Sequence, residues 1–340
     1  MRILHLLSNP NWSGPAENVA LLALAQRALG HQASIAVERK RLSPRAEEPV
    51  IPRLKALDLL DEGGLELSVK STPLALLRDV RRISRREEDV LHCHFSHDHH
   101  LCRIGRPRRA VLVRSIHSPR SLGWGLPRAD AYTVPTAADA ARLPNRRVRV
   151  MPSLLDPGFR PAASVPALRE RLGVRGEPLV GMVSNFHPSR RHELGFRAFA
   201  QLRGVRPGAH LAIVGDGELE EALRGKVREL GLEPAVTWAG YQQAERFVEW
   251  LQALDEVWLL GLGNDWSGRA AAQARACGVR VVAVDEGALP GLADAVVREL
   301  TPEAVVRASL SGERVSRTLR SNEEVARAVL DLYEQARAGR

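Results

Sequence analysis

The chain has 340 residues, 44% of them hydrophobic and 26% charged, the balance of a water-soluble globular protein long enough for two domains and free of low-complexity tracts. A net charge of +9 at pH 7 favours an anionic partner, whether nucleotide, phospholipid surface or nucleic acid. Three cysteines, Cys93, Cys102 and Cys277, supply no disulfide or zinc framework and fit a reducing cytoplasm; no apolar run approaches the roughly 18 residues of a membrane span, and the run before Asn9 and Pro10 is too short for a signal peptide.

In chain order, residues 2–7 read as a strand, 9–14 as a loop, and 17–29 as a helix with Val19, Leu22, Ala23 and Leu29 on its apolar face, stopped by Gly30. A strand over 34–37 completes the opening of a Rossmann-like half. Residues 41–87 are Arg-rich and broken by prolines, with helices expected over 51–60 and 73–84. The alternation of 89–95 predicts a strand carrying His92 and His94 on one face and Leu91, Cys93 and Phe95 on the other. The run HCHFSHDHH has two readings: His92 and His94 with nearby Asp98 as a metal site, or a histidine-bearing strand with no metal. A strand over 110–116 ends at His117, a position where an α/β fold does its chemistry. Another strand over 130–135 leads to Thr136 as the cap of a helix ending at Leu143, and 147–151 runs into PSLLDPGFRP. There Pro152, Pro157 and Pro161 discourage regular structure and mark a boundary near residue 155.

The second half opens with a helix over 166–172 and a strand over 179–183, followed by SNFHPSRRHELGFRAFAQL. A strand over 210–214 ends in Gly215-Asp216-Gly217 before a helix over 218–230, and a strand over 236–239 ends at Gly240 and Tyr241. Then come an apolar strand over 257–260, a loop containing Gly261, Gly263 and Gly268, a helix of small residues over 269–276, and a strand over 279–284. A strand, a glycine loop and a helix N-terminus together turn backbone N–H groups and the helix dipole toward an anion, so a phosphate-bearing ligand is expected. Asn264, Asp265, Trp266 and Ser267 stand at the carboxyl end of that strand, where doubly wound sheets bind ligands. Helices over 301–310 and 321–338 close the chain, the last with a stripe of Val325, Ala328, Val329, Leu332 and Tyr333.

This order resembles the family 4 glycosyltransferases, group 1 type, which are retaining enzymes of the GT-B fold. In that family an acidic residue is followed eight positions later by a glutamate; here Asp265 and Gln273 take those places, with Ala276-Cys277-Gly278-Val279 following. The resemblance implies two Rossmann-like α/β domains facing each other across a cleft. Residues 1–155 would form the acceptor side, 156–320 the nucleotide-sugar side, and 321–340 a helix crossing back to the first domain. It implies His117, Arg190 and Asp265 as catalytic residues. Around the donor it implies Gly14 and Pro15 of SGPAEN, Gly215, Gly217, the backbone at Tyr241, and the loop Trp266, Ser267, Gly268 and Arg269. The family places an arginine just after the strand over 179–183 and a lysine five residues later; Asn185 and Arg190 occupy those positions, with Arg191 alongside. Arginine holds phosphate bidentately and stays charged, whereas Asn185 brings no charge, and Gln273 can bond two ribose hydroxyls only without charge assistance.

The implied function is transfer of a sugar, with retention, from a nucleotide diphosphate sugar to a glycan or lipid-linked acceptor in cell-surface polysaccharide or glycolipid synthesis. Neither a metal nor another cofactor is implied, and no Asp-x-Asp pair stands here to hold one. Arg78, Arg81, Arg82, Arg85 and Arg86 offer a basic helical end to an anionic membrane at the inner face. Nucleic acid is not expected, since the basic residues lack interleaved aromatics. The changes at Asn185 and Gln273 leave a second reading open, a degenerate glycosyltransferase that binds a nucleotide sugar or a partner enzyme without turnover.

Overall fold

A computed structural model describes residues 1–40, 49–122, 126, 128–143, 146–262, 266–316 and 318–340. The chain divides into two compact units, Met1–Leu155 with Arg320–Arg340, and Asp156–Leu319. Each contains one six-stranded sheet whose neighbouring strands are all parallel.

In the first unit the strands are β1 (Arg2–Leu7), β2 (Gln32–Val37), β3 (Val90–Cys93), β4 (Val111–Ser115), β5 (Ala131–Val134) and β6 (Val148–Val150), ordered β2-β1-β3-β4-β5-β6. Successive side chains alternate between faces, so both faces need apolar cover. Ile3, Val90, Val111 and Val113 pack with Val19, Leu22 and Ala23 of helix Gly14–Ala28 and with Val325, Val329 and Tyr333 of helix Asn322–Ala338. Leu4, Leu6, Leu91 and Leu112 pack on the other side with Ile83 of helix Pro73–Ser84 and Leu101 of helix Ser96–Gly105. The C-terminal helix starts in a capping box between Ser321 and Glu324, and the Asn322 side chain bonds the backbone N–H and C=O of Leu155. These bonds close the unit on itself.

Two local departures from expectation have clear causes. The first helix begins at Gly14 because Pro15, with φ preset, fits the first turn. The strand expected over 89–95 stops at Cys93, because the Asp98 carboxylate accepts the N–H groups of His94, Phe95 and His99 and starts a helix there. Asp98 therefore serves as a helix cap beside Arg114, 4.0 Å away, which removes it from the metal reading.

In the second unit the strands are β7 (Leu179–Val183), β8 (His210–Val214), β9 (Val236–Gly240), β10 (Glu256–Leu259), β11 (Arg280–Val284) and β12 (Ala295–Val297), ordered β12-β11-β10-β7-β8-β9. Phe196, Phe199 and Trp258 fill the core. Helix Ala244–Ala253 and β12 lie outside the elements expected from sequence; the helix buries Trp250 and Leu251. Arg280 and Glu256 form a buried pair at 2.6 Å, and Arg280 also donates to the carbonyls of Ala308 and Ser309, capping helix Pro302–Leu310 at its C-terminus.

In each sheet the chain first moves outward in one direction and then returns to the other side of its first strand. The reversal lies between β1 and β3 in the first unit and between β7 and β10 in the second. Such switch points splay the following loops apart beyond the strands' carboxyl ends, and ligands bind there.

Candidate functional site

At the β7/β10 switch point of the second unit, four loops are bound to one another. The backbone after β7 passes so close to that after β8 that glycine is required twice. A Cβ on Gly215 (φ +143°) would lie 2.0 Å from the Ser184 carbonyl oxygen, and one on Gly217 (φ +155°) 2.8 Å from that of Phe186. Phe186 N–H in turn donates to the Asp216 carbonyl at 2.7 Å. The same packing recurs across the switch point, where a Cβ on Gly261 would lie 1.9 Å from Ser189 O.

Arg190 stands in this seam. Its Nε donates to Asn185 Oδ1 at 3.2 Å and its Nη1 to the Gly261 carbonyl at 3.2 Å. Asn185, read from sequence as a lost cation, thus uses its amide oxygen to aim the remaining one. Arg191 directs Nη1 to the Leu260 carbonyl at 2.6 Å and Nη2 to Glu286 Oε1 at 2.7 Å. Glu286 is absent from the sequence reading; it lies after β11, too far along the chain for spacing to reveal it. Behind this edge His192 is buried with Nε2 3.2 Å from Ser184 Oγ, and burial, with a smaller contribution from Arg190, lowers its pKa to about 4.

Gly268, at φ +69°, precedes helix Arg269–Ala276, and Trp266 O accepts from Ala288 N at 3.1 Å. Trp266, Ser267 and Arg269 are half-buried, whereas Gln273 is buried one turn into the helix. Tyr241 follows β9 and is largely exposed, and Gly215 N–H bonds the Gly240 carbonyl beside it. Trp238 packs against the core under the guanidinium of Arg224, 4.4 Å from its ring centre. Asp265, with Gly263 and Asn264, lies outside the described residues. The arrangement gathers Asn185, Arg190, Arg191, Gly215, Gly217 and the 266–269 segment on one sheet edge, with a cation and a helix N-terminus that suit a diphosphate.

The first unit holds the remaining expected positions. Gly14 and Pro15 form the first turn of a helix, and His117 follows β4 with its ring 5.7 Å from that of His94 and 5.8 Å from that of Phe95. Beneath His117 a polar row crosses the sheet, and it includes His5, which the sequence reading passed over. His5, His92 and His94 bring ligand atoms within 4.8 Å of one another, the grouping that a metal ion would need. Five of their six ring nitrogens are otherwise engaged. Gln26 Oε1 faces His5 Nε2 at 2.9 Å, so that nitrogen donates and His5 Nδ1 accepts from His94 Nε2 at 3.1 Å. Gln26 Nε2 donates to the Tyr333 hydroxyl at 3.2 Å, which donates to His92 Nδ1 at 2.6 Å; His92 Nε2 donates to Ser115 Oγ at 2.8 Å, and Ser115 to Thr133 at 2.7 Å. His5 and His92 each donate once and accept once, and His94 donates from Nε2 while its buried Nδ1 has no hydrogen-bond partner among the described residues, an order that fixes one neutral tautomer per ring.

Comparisons with known proteins bear on this site. Residues 165–324 match the family model described as glycosyl transferases group 1. Over 130 residues the chain is 32% identical to the GDP-mannose-dependent alpha-(1-6)-phosphatidylinositol monomannoside mannosyltransferase of Mycolicibacterium smegmatis, covering 36% of this chain and 34% of that protein. Over 183 residues it is 31% identical to the 2-deoxystreptamine N-acetyl-D-glucosaminyltransferase of Streptomyces fradiae, covering 51% and 41%. The chain thus spans about a third to two fifths of the length of these curated relatives. Among solved structures, Anabaena HepE in complex with UDP and glucose superposes with a TM-score of 0.71 at 17% identity, over 100% of this chain and 99% of that one. The lipopolysaccharide outer core galactosyltransferase WaaB gives 0.64 at 13% identity, over 99% and 98%. The fold is therefore GT-B, and the matches support a group 1 glycosyltransferase.

Proposed function

We propose that the chain is a retaining glycosyltransferase that moves a sugar from a nucleotide diphosphate sugar to a glycan or lipid-linked acceptor, in cell-surface polysaccharide or glycolipid synthesis. The observation that carries this reading is Arg190, aimed by Asn185 Oδ1 and Gly261 O at the switch point where the loop before helix Arg269–Ala276 begins. As the bond to the sugar breaks, charge builds on the leaving diphosphate. A fixed guanidinium and the N–H groups of Ser267 to Arg269 stabilise that charge more in the transition state than in the ground state. Asp265 would hold sugar hydroxyls and Gln273 the ribose. Neither a metal nor another cofactor is required by this route, because Arg190 supplies the charge.

Release of UDP from UDP-glucose and of GDP from GDP-mannose tests the proposal. Arg190→Ala is expected to lower kcat/KM about 10²- to 10³-fold, the usual cost of losing one preorganised charge-stabilising donor. The wild-type rate is expected to survive EDTA. If UDP or GDP binds but no donor is turned over, the non-catalytic reading replaces this one.

The acceptor side would meet an anionic membrane at the cytoplasmic face. No described helix is long and apolar enough to cross a membrane. Helix Pro73–Ser84 turns Leu74 and Leu77 outward with Arg78, Arg81 and Arg85. Arg82 and Arg86, expected with them, turn inward to the Gly64 carbonyl and to Asp61. Apolar side chains ringed by cations suit a headgroup layer. Flotation with phosphatidylglycerol vesicles, but not with phosphatidylcholine ones, is expected for the wild type and lost in Leu74→Ser/Leu77→Ser; equal recovery with both vesicles would count against it.

A further inference from the structure

We propose that Arg191 and Glu286 are positioning residues of the donor edge, a clamp that presets the backbone of residues 260–262 for a nucleoside diphosphate. This rests on the nucleotide-binding reading above. Arg191 sits at φ +54°, ψ 44°, the left-handed region, as the residue preceding helix His192–Val205. Glycine would occupy that conformation without strain, so the turn alone gives no reason for an arginine. The reason lies in what its side chain holds. Three consecutive residues are each gripped through one backbone group: Leu260 O by Arg191 Nη1 at 2.6 Å, Gly261 O by Arg190 Nη1 at 3.2 Å, and Leu262 N–H by Glu286 Oε2 at 3.1 Å. Arg191 Nη2 and Glu286 Oε1 close the ring at 2.7 Å.

The clamp ties the loops after β7 and β10, which border the switch point, to the loop after β11. Its side chains are 31% and 26% exposed, and an ion pair so open to water adds little to global stability. Its effect is geometric. A backbone already held in its bound shape need not be ordered when ligand arrives, which strengthens binding without a new contact to the ligand. Both terminal nitrogens of Arg191 are committed inside the protein, so its role here is to position the loop.

Three variants separate this role from direct phosphate binding: Arg191→Gly, Glu286→Gln and the double variant. Their readouts are amide exchange at Leu262 in the free protein, melting temperature, and Kd for UDP and GDP. Arg191→Gly relieves the left-handed strain, so its melting temperature is expected to hold or rise while Leu262 exchanges faster and the tighter-binding nucleotide weakens about tenfold. Glu286→Gln is expected to move exchange and affinity in the same direction, and the double variant to be no worse than Arg191→Gly, because both substitutions open one ring. Unchanged exchange and affinity in Arg191→Gly overturns the proposal. So does weakened binding in Arg191→Gly with none in Glu286→Gln, which would place Arg191 on the phosphates. If the wild type binds neither nucleotide, the donor reading fails and this proposal fails with it, while Leu262 exchange still reports whether the ring orders the loop.

Discussion

Acidification from pH 7 to pH 5 is expected to unfold the first unit ahead of the second. Burial lowers the pKa of His5 to about 4, with Gln26 opposing; it lowers His92 and His94 well below the ordinary value, helped by the neighbouring imidazoles, and His99 to about 4, helped by Arg114. In the unfolded chain these rings titrate near 6.5. Below that pH the unfolded chain takes up protons that the folded unit refuses, so stability is intact above pH 6.5 and falls as pH drops toward 4. A shift of that size removes about 3 kcal/mol for His5 alone. Asp98 acts in the opposite sense. Burial raises its pKa to about 6, so it protonates first in the folded unit and offsets about one histidine as the pH falls below 6.

The net is roughly three uncompensated histidines in the first unit, set against a typical domain stability of about 5–15 kcal/mol. In the second unit His192 is lowered to about 4 and half-buried His210 is lowered as well, so its decline should be shallower. The hydrogen-bond row sharpens the effect. His5 and His92 each donate once and accept once, so a proton added to either ring leaves two donors facing each other. Urea unfolding followed by hydrogen exchange on peptides of each unit measures this at pH 7, 6 and 5. A midpoint for the first unit that does not move over that range would show that its histidines are not held neutral. His5→Gln is expected to flatten the slope, because one titrating ring is gone.

The parallel architecture was legible because strands buried on both faces produce unbroken apolar runs. LVGMV and HLAIV in the second unit occur with the expected ends. Helix Arg269–Ala276 was legible from small residues following a glycine. What stayed hidden depends on partners distant in sequence. His5 reads as one polar interruption in RILHLL, and its meaning lies in Gln26, Tyr333 and His94, which meet only after the sheet and two helices have formed. Glu286 shows no periodic signal and acquires its role from Arg191 across the switch point. Asp98 stands near histidines in the chain, yet its carboxylate is consumed by backbone N–H groups at the start of a helix. Spacing locates elements well. It does not show which way a polar side chain turns.

Gly261→Ala is expected to cost about 3 kcal/mol of second-unit stability, at the upper end for overpacking, and to abolish measurable nucleotide binding. The added Cβ would stand 1.9 Å from the Ser189 carbonyl oxygen and 2.8 Å from Arg191 Nη1. The first clash is with backbone, so no rotamer change relieves it. Either the loop after β7 or the one after β10 must move, and Arg190 is bonded to both through Asn185 and the Gly261 carbonyl. Its guanidinium then loses the direction on which phosphate recognition depends, since a displacement of about 1 Å at a preorganised charge is costly. Gly204 in helix His192–Val205 is the matched control, because an added Cβ there meets nothing within 4 Å. Gly204→Ala is expected to stabilise the unit by roughly 0.5–1 kcal/mol through helix propensity alone, with nucleotide affinity unchanged. Urea midpoints and titration with UDP and GDP read both variants. Wild-type affinity in Gly261→Ala would mean that the contact between these two loops does not support the phosphate site.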